Sequence, residues 1–136
     1  MGEPLLWVDH SLSPYVSSAL NLVGYNAFTF KDLEEFKDRD GVDDEEIIPW
    51  CGSHKAIWVH ADDKAKVEHK KLIEEHQVKS IWVYRPNGKM SNKDQLRALS
   101  CGLPRALDRL KKFQHIEIRV KGMPPEQGYS VKPLYL

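Results

Sequence analysis

The chain is poor in the features that would classify it at a glance. It has only two cysteines, Cys51 and Cys101, in 136 residues. They lie far apart with no C-x-x-C spacing, so a disulfide framework or zinc site has no support and both read as reduced, buried thiols. No apolar run approaches the roughly 20 residues that a membrane helix needs, and no membrane partner is expected. The opening residues lack a basic region followed by an apolar stretch and a small-residue cleavage site. A secretory leader is therefore not expected, and a cytoplasmic location is. Neither G-x-G-x-x-G nor G-x-x-x-x-G-K-[ST] occurs, which leaves dinucleotide and P-loop sites unsupported. There is no internal repeat, no low-complexity tract and no dividing linker.

Net charge is absent too, because 20 basic and 20 acidic side chains cancel. The cancellation hides a polarity. Residues 1–63 carry thirteen acids against four bases (Lys31, Lys37, Arg39, Lys55), while residues 64–136 carry seven acids against sixteen bases. Such a split fits an acidic pocket beside a basic surface, as where metal and polyanion meet, and equally two halves that neutralise each other on folding. Apolar residues make up 41% and charged residues 29%, enough for one domain with its own core.

Strand and helix signals alternate along the chain. Leu5 to Val8 is a short apolar run ending at Asp9. Ser13-Pro14 opens a helix, with Ser favourable at the N-cap and Pro in the first turn, and Gly24 closes it. Asn26 to Phe30 reads as a second strand and Asp32 to Phe36 as a helical turn. The charged stretch 37–41 has no apolar anchor and reads as a mobile loop. Asp43 or Asp44 caps the next helix, with Glu45 and Glu46 in its first turn and Pro49 awkward in its second. Ala56 to Val59 is a third strand, Lys64 to His76 a long polar helix, and Ser80 to Tyr84 a fourth strand. Ser91 caps a helix expected to break near Gly102–Pro104 and resume from Arg105 to Phe113. Ile116 to Val120 is a fifth strand. The pattern predicts an α/β fold: a single three-layer α/β/α domain over residues 1–121, with a mostly parallel sheet of about five strands. Residues 122–136 read as a Pro/Gly-rich C-terminal tail with one edge strand at most.

Three aspartates stand at strand ends or just ahead of a helix: Asp9, Asp44 and Asp62. The carboxyl edge of a parallel sheet is where open α/β folds place ligands. Several carboxylates converging there would bind a hard divalent cation. For Asp44 and Asp62 a plain helix N-cap is the alternative, and Asp43 could do the capping instead of Asp44. Asp9 has no such alternative, since Ser11 and Ser13 are better placed to cap. Lys64, Lys66, Lys70 and Lys71 read either as a solvated helix face or as phosphate steering. Arg85, Lys89, Lys93 and Arg97 fall near the same sheet edge. Trp7, Trp58 and Trp82 read as core; Trp50 is open to packing or stacking. His10 and His60 flank the acids as structural imidazoles, general bases or metal ligands.

The ordered set Val8-Asp9-His10-Ser11-Leu12-Ser13-Pro14, Gly41-Val42-Asp43-Asp44-Glu45-Glu46-Ile47 and Trp58-Val59-His60-Ala61-Asp62-Asp63 resembles the compact PIN-like domains. Those typically read D-x-N-L-S-P, then G-x-S-D-E-E-I, then V-x-T-A-D-x-D-F, and many are toxin ribonucleases of the VapC type. The likeness covers residues 5–85. It implies Asp9, Asp44 and Asp62 as catalytic, metal-binding acids, with Asp63 as the deputy ligand for the fourth acid that the family has where Lys64 stands. It also implies Mg²⁺ or Mn²⁺ as cofactor and RNA as substrate, and the charge and placement of Lys64, Lys66 and Arg85 make them the candidate RNA contacts. An antitoxin protein and a homodimer are the assemblies to test. The chain departs from the pattern at His10 and Lys64, where the family often has acids, and at His60, where it has Thr or Ser. Two other functions stay open. One is a receiver of the response-regulator kind, with Asp62 as phosphoacceptor and Asp9 and Lys121 beside it. The other is a PIN-like interaction module without catalysis.

Overall fold

The computed structural model describes residues 3–63, 68–120 and 129–136. Six strands, β1 (Leu5–Val8), β2 (Asn26–Phe28), β3 (Ile57–His60), β4 (Ser80–Val83), β5 (His115–Val120) and β6 (Tyr129–Pro133), join in one sheet. The order is β2-β1-β3-β4-β5-β6. Every neighbouring pair is parallel except β5–β6. The helices among the described residues are α1 (Pro14–Leu22), α2 (Asp44–His54), α3 (Lys70–His76) and α4 (Asn92–Arg109).

Alternation along each strand splits the core between two faces. Leu6, Val8, Ile57, Val59, Ile81, Val83, Ile116 and Ile118 meet Val16 and Leu20 of α1 and Leu99 and Leu103 of α4. Trp7 and Trp58 point the other way, onto Ile47, Ile48 and Cys51 of α2 and Ile73 of α3. Helices thus cover both faces of a mostly parallel sheet, the expected three layers. The Trp residues are core, as read. Trp50 also packs: its ring lies 5.1 Å from Trp7 and 5.6 Å from Phe28, and its Nε1 donates to Glu35 at 2.8 Å.

Three expectations need correction. The helix expected to break near Gly102–Pro104 is one continuous α4, with Pro104 inside it. Its buried positions Gln95, Ala98, Leu99, Gly102, Leu103 and Ala106 keep one helical stripe. The carbonyl that Pro104 leaves without an amide belongs to Ser100, and both residues are exposed, so solvent satisfies it. Gly102 lets the helix lie against β5: a Cβ there would come within 2.8 Å of Ile118. The tail does supply the one edge strand allowed for it, β6, which runs antiparallel to β5 with Val131 opposite Ile118 and brings the sheet to six strands. The loop at 37–41 is anchored, because Lys31 Nζ donates to Arg39 O at 2.7 Å and Arg39 grips Glu46 with two 2.8 Å bonds. Finally, the thiols differ: Cys51 is buried, Cys101 is exposed, and both are free. The helix expected from Lys64 is described as α3 only from Lys70, and residues 64–67 lie outside the described part. No helix among the described residues is long and apolar enough to cross a membrane.

Candidate metal centre

The strand order creates the site. From β1 the chain passes through α1 to β2 on one side, and then through α2 to β3 on the other side of β1. The crevice between the carboxyl ends of β1 and β3 is therefore the topological switch point, where open α/β sheets bind ligands. Asp9 immediately follows β1, and its amide donates to Val59 O of β3 at 2.8 Å. Asp62 lies two residues beyond β3. Asp44 is the first residue of α2, the helix that crosses between them.

Capping frees Asp44 for this edge. Asp43 is the N-cap, paired with Glu46 in a capping box; the Asp43 amide donates to Glu46 Oε2 at 3.3 Å. Asp44 instead turns Oδ2 to His69 Nε2, 3.3 Å away. A cavity of about 250 Å³ opens here, lined by His10, Asp43, Asp44, Glu45, Asp62 and His69 together with Val42.

Asp9 is only 2% exposed. Its Oδ2 accepts from the Ser11 amide at 3.1 Å. Its Oδ1 is buried without a hydrogen-bond partner, 3.5 Å from His10 Nδ1. A buried carboxylate oxygen left without a donor is costly unless something else satisfies it. The three acids share one field. The Asp44 carboxyl is pushed up to about 6, first by burial and next by the charge of Asp9. Asp62 adds to the rise, while His69 and His10 oppose it. A divalent cation would reverse that direction.

The donors are carboxylates with two imidazoles beside them, chemistry that suits Mg²⁺ or Mn²⁺. Among the described residues, no three His, Cys, Asp or Glu side chains already stand gathered around one ion position.

The other sequence candidates separate. Asp63 is exposed and does not line the cavity. Lys64, Lys66 and Lys121 lie outside the described residues. Arg85 turns inward: Nη1 donates to Ser11 O at 3.2 Å and Nη2 to Ala61 O at 3.1 Å. His60 is buried against the Trp58 ring, 4.2 Å between centroids. The sequence reading missed His69 and Ser11. His69 caps a helix far along the chain from Asp44, and nothing in its local pattern marks it. Ser11 Oγ accepts from the Ala61 amide at 2.9 Å, tying the loops after β1 and β3. Comparison with protein-family models, curated proteins and solved structures finds no match to the chain.

Proposed function

We propose that the chain is a metal-dependent ribonuclease of PIN-like type that hydrolyses RNA phosphodiesters at a carboxylate-held Mg²⁺ or Mn²⁺, and that it acts as the toxin of a toxin–antitoxin pair. The observation that carries this is that Asp44 and Asp62 line one cavity at the switch point, while Asp9, directly after β1 and next to the cavity-lining His10, is buried with its Oδ1 lacking a hydrogen-bond partner. Asp9, Asp44 and Asp62 would hold the ion. Bound there, it would neutralise non-bridging oxygens, lower the pKa of an attacking water and stabilise the leaving oxygen. His10, 64% exposed beside Asp9, is placed to exchange a proton with solvent at its imidazole. His69 orients the Asp44 carboxylate from the other side. The test is cleavage of single-stranded RNA by pure protein with Mn²⁺ or Mg²⁺, lost in Asp9→Asn. No metal binding by calorimetry together with no cleavage would overturn it. A stable co-purifying partner, with Asp9→Asn silent, would favour the interaction module.

A receiver is the second reading, because one observation favours it. The order β2-β1-β3-β4-β5 is the doubly wound order that receiver domains share. Asp9 and Asp62 then correspond to acids after the first and third strands. Treatment with a small phosphodonor should leave a labile adduct on Asp62 by mass spectrometry; no adduct would remove this reading.

A further inference from the structure

We propose that Arg85 is a positioning residue that holds Asp9 and Asp62 in register, rather than a contact for the nucleic acid; this rests on the reading of those acids as metal ligands. Arg85 follows β4 by two residues, on the next strand along from β3. Its guanidinium spans the two loops that carry the acids, with Nη1 on Ser11 O and Nη2 on Ala61 O. Ser11 lies two residues past Asp9, and Ala61 lies directly before Asp62.

The same loops are tied again by the Ala61 amide on Ser11 Oγ, and the Ser11 amide holds Asp9 Oδ2. Asp9 carboxylate, Ser11 and Ala61 are thus linked in sequence, and Arg85 braces the last two from behind. A planar fork with two terminal donors suits two carbonyls better than a lysine's point charge does. An arginine that reads phosphate presents this fork to solvent. Here both terminal nitrogens are engaged on backbone, and Nε is buried without a partner.

The charge argument separates positioning from simple electrostatics. The guanidinium of Arg85 reaches the loops that carry the acids through backbone carbonyls. By Coulomb repulsion alone, removing it would strengthen cation binding. If Arg85 positions the acids, removing it weakens cation binding in spite of that. The two effects have opposite sign.

The test uses Arg85→Gln and Ser11→Ala, the second removing one hydroxyl and no charge. Each variant is measured for Mn²⁺ affinity by calorimetry. Each is also measured for binding of a single-stranded RNA oligonucleotide across a salt series in chelator, and for amide hydrogen exchange in metal-free protein. Both variants should lose about ten- to a hundredfold in Mn²⁺ affinity, as loss of outer-shell support does. Both should exchange faster over residues 9–12 and 60–62, with the RNA salt slope unchanged. Unchanged or tighter Mn²⁺ binding in Arg85→Gln, or a salt slope smaller by about one with exchange unaltered, overturns the proposal. If wild-type protein binds no Mn²⁺ and cuts no RNA, the metal reading fails instead. Exchange then still decides whether Arg85 holds the two loops. Should Arg85→Gln fail to fold, Arg85→Lys, which keeps the charge and loses the two-donor fork, carries the same comparison.

Discussion

Asp9→Asn should make the metal-free protein more stable than wild type and the Mn²⁺-loaded protein less stable. The substitution is nearly isosteric. Asparagine keeps an oxygen for the Ser11 amide, 3.1 Å away in the wild type, and loses the charge. Asp44 carries the effect, since its carboxyl rises from 3.8 to about 6, by burial first and by Asp9 second. A shift of about two units is at most roughly 3 kcal/mol, and solvent reaching the half-buried carboxyl screens it below that. The folded state holds this proton more tightly than the unfolded chain does. For this group stability is therefore greatest below about pH 4 and is lost as pH rises through about 6. Near neutral pH the whole penalty is present. Burial takes the largest part, so deleting the Asp9 charge returns on the order of 1 kcal/mol, or about 4 °C in a domain of this size. With Mn²⁺ at about 100 times its Kd, the wild type gains roughly 2.7 kcal/mol that the variant lacks. Scanning fluorimetry at neutral pH should show the melting order reverse between chelator and Mn²⁺. A variant less stable in both buffers, or raised by Mn²⁺ as much as wild type, refutes a shared carboxylate centre.

His115 gives a pH dependence far from that centre: it lies 2.6 Å from Ser80 Oγ, and burial lowers its pKa from 6.5 to about 4 against an upward pull from Glu74. The unfolded chain takes up this proton first, so stability is full above pH 6.5 and falls as pH drops toward 4. Denaturant titrations should show wild type losing about 2 kcal/mol relative to His115→Gln between neutral pH and pH 5, a difference in which the opposite pH dependence of Asp44 cancels. Gly52→Ala should destabilise by about 1–3 kcal/mol, because its Cβ would stand 2.7 Å from the His76 carbonyl oxygen and force α2 from α3. A melting temperature equal to wild type would show that the helices can separate at no cost.

The parallel sheet was legible because β1, β3 and β4 are short continuous apolar runs, as strands covered on both faces are, bounded by turn or cap residues. Ser13-Pro14 and Gly24 marked the first helix within a residue of its observed ends. The errors came where tertiary contacts outweigh local preference. Pro104 looks like a helix breaker in sequence, but its helix is held by Leu99, Leu103 and Ala106 against the sheet. The edge strand allowed for the tail forms as β6, where Tyr129 and Val131 alternate with Ser130 and Lys132 along the open edge of β5. Loop 37–41 looked unanchored because its anchors, Lys31 and Glu46, lie outside it.

The site was legible in its acids and hidden in its supports. Asp9 could be singled out because an acid closing an apolar strand is the feature that stability explains least. Arg85 could be placed near the edge, but only the spatial closeness of the loops after β1 and β3 reveals what its fork holds. The acidic run 43–46 shows how one stretch divides its labour. Asp43 caps α2, Glu46 answers it and takes Arg39, Glu45 lines the cavity, and Asp44 is left for the centre. The amino end of α2 carries partial positive charge toward these acids, which offsets part of their mutual repulsion. It does not offset all of it, since Asp44 remains well above the ordinary carboxylate range. That residual repulsion separates the two readings by sign. A bound cation relieves it, whereas a phosphoryl group on Asp62 would add negative charge beside Asp9 and Asp44. Without a cation to share, phosphorylation should therefore lower the melting temperature, and Mn²⁺ should raise it.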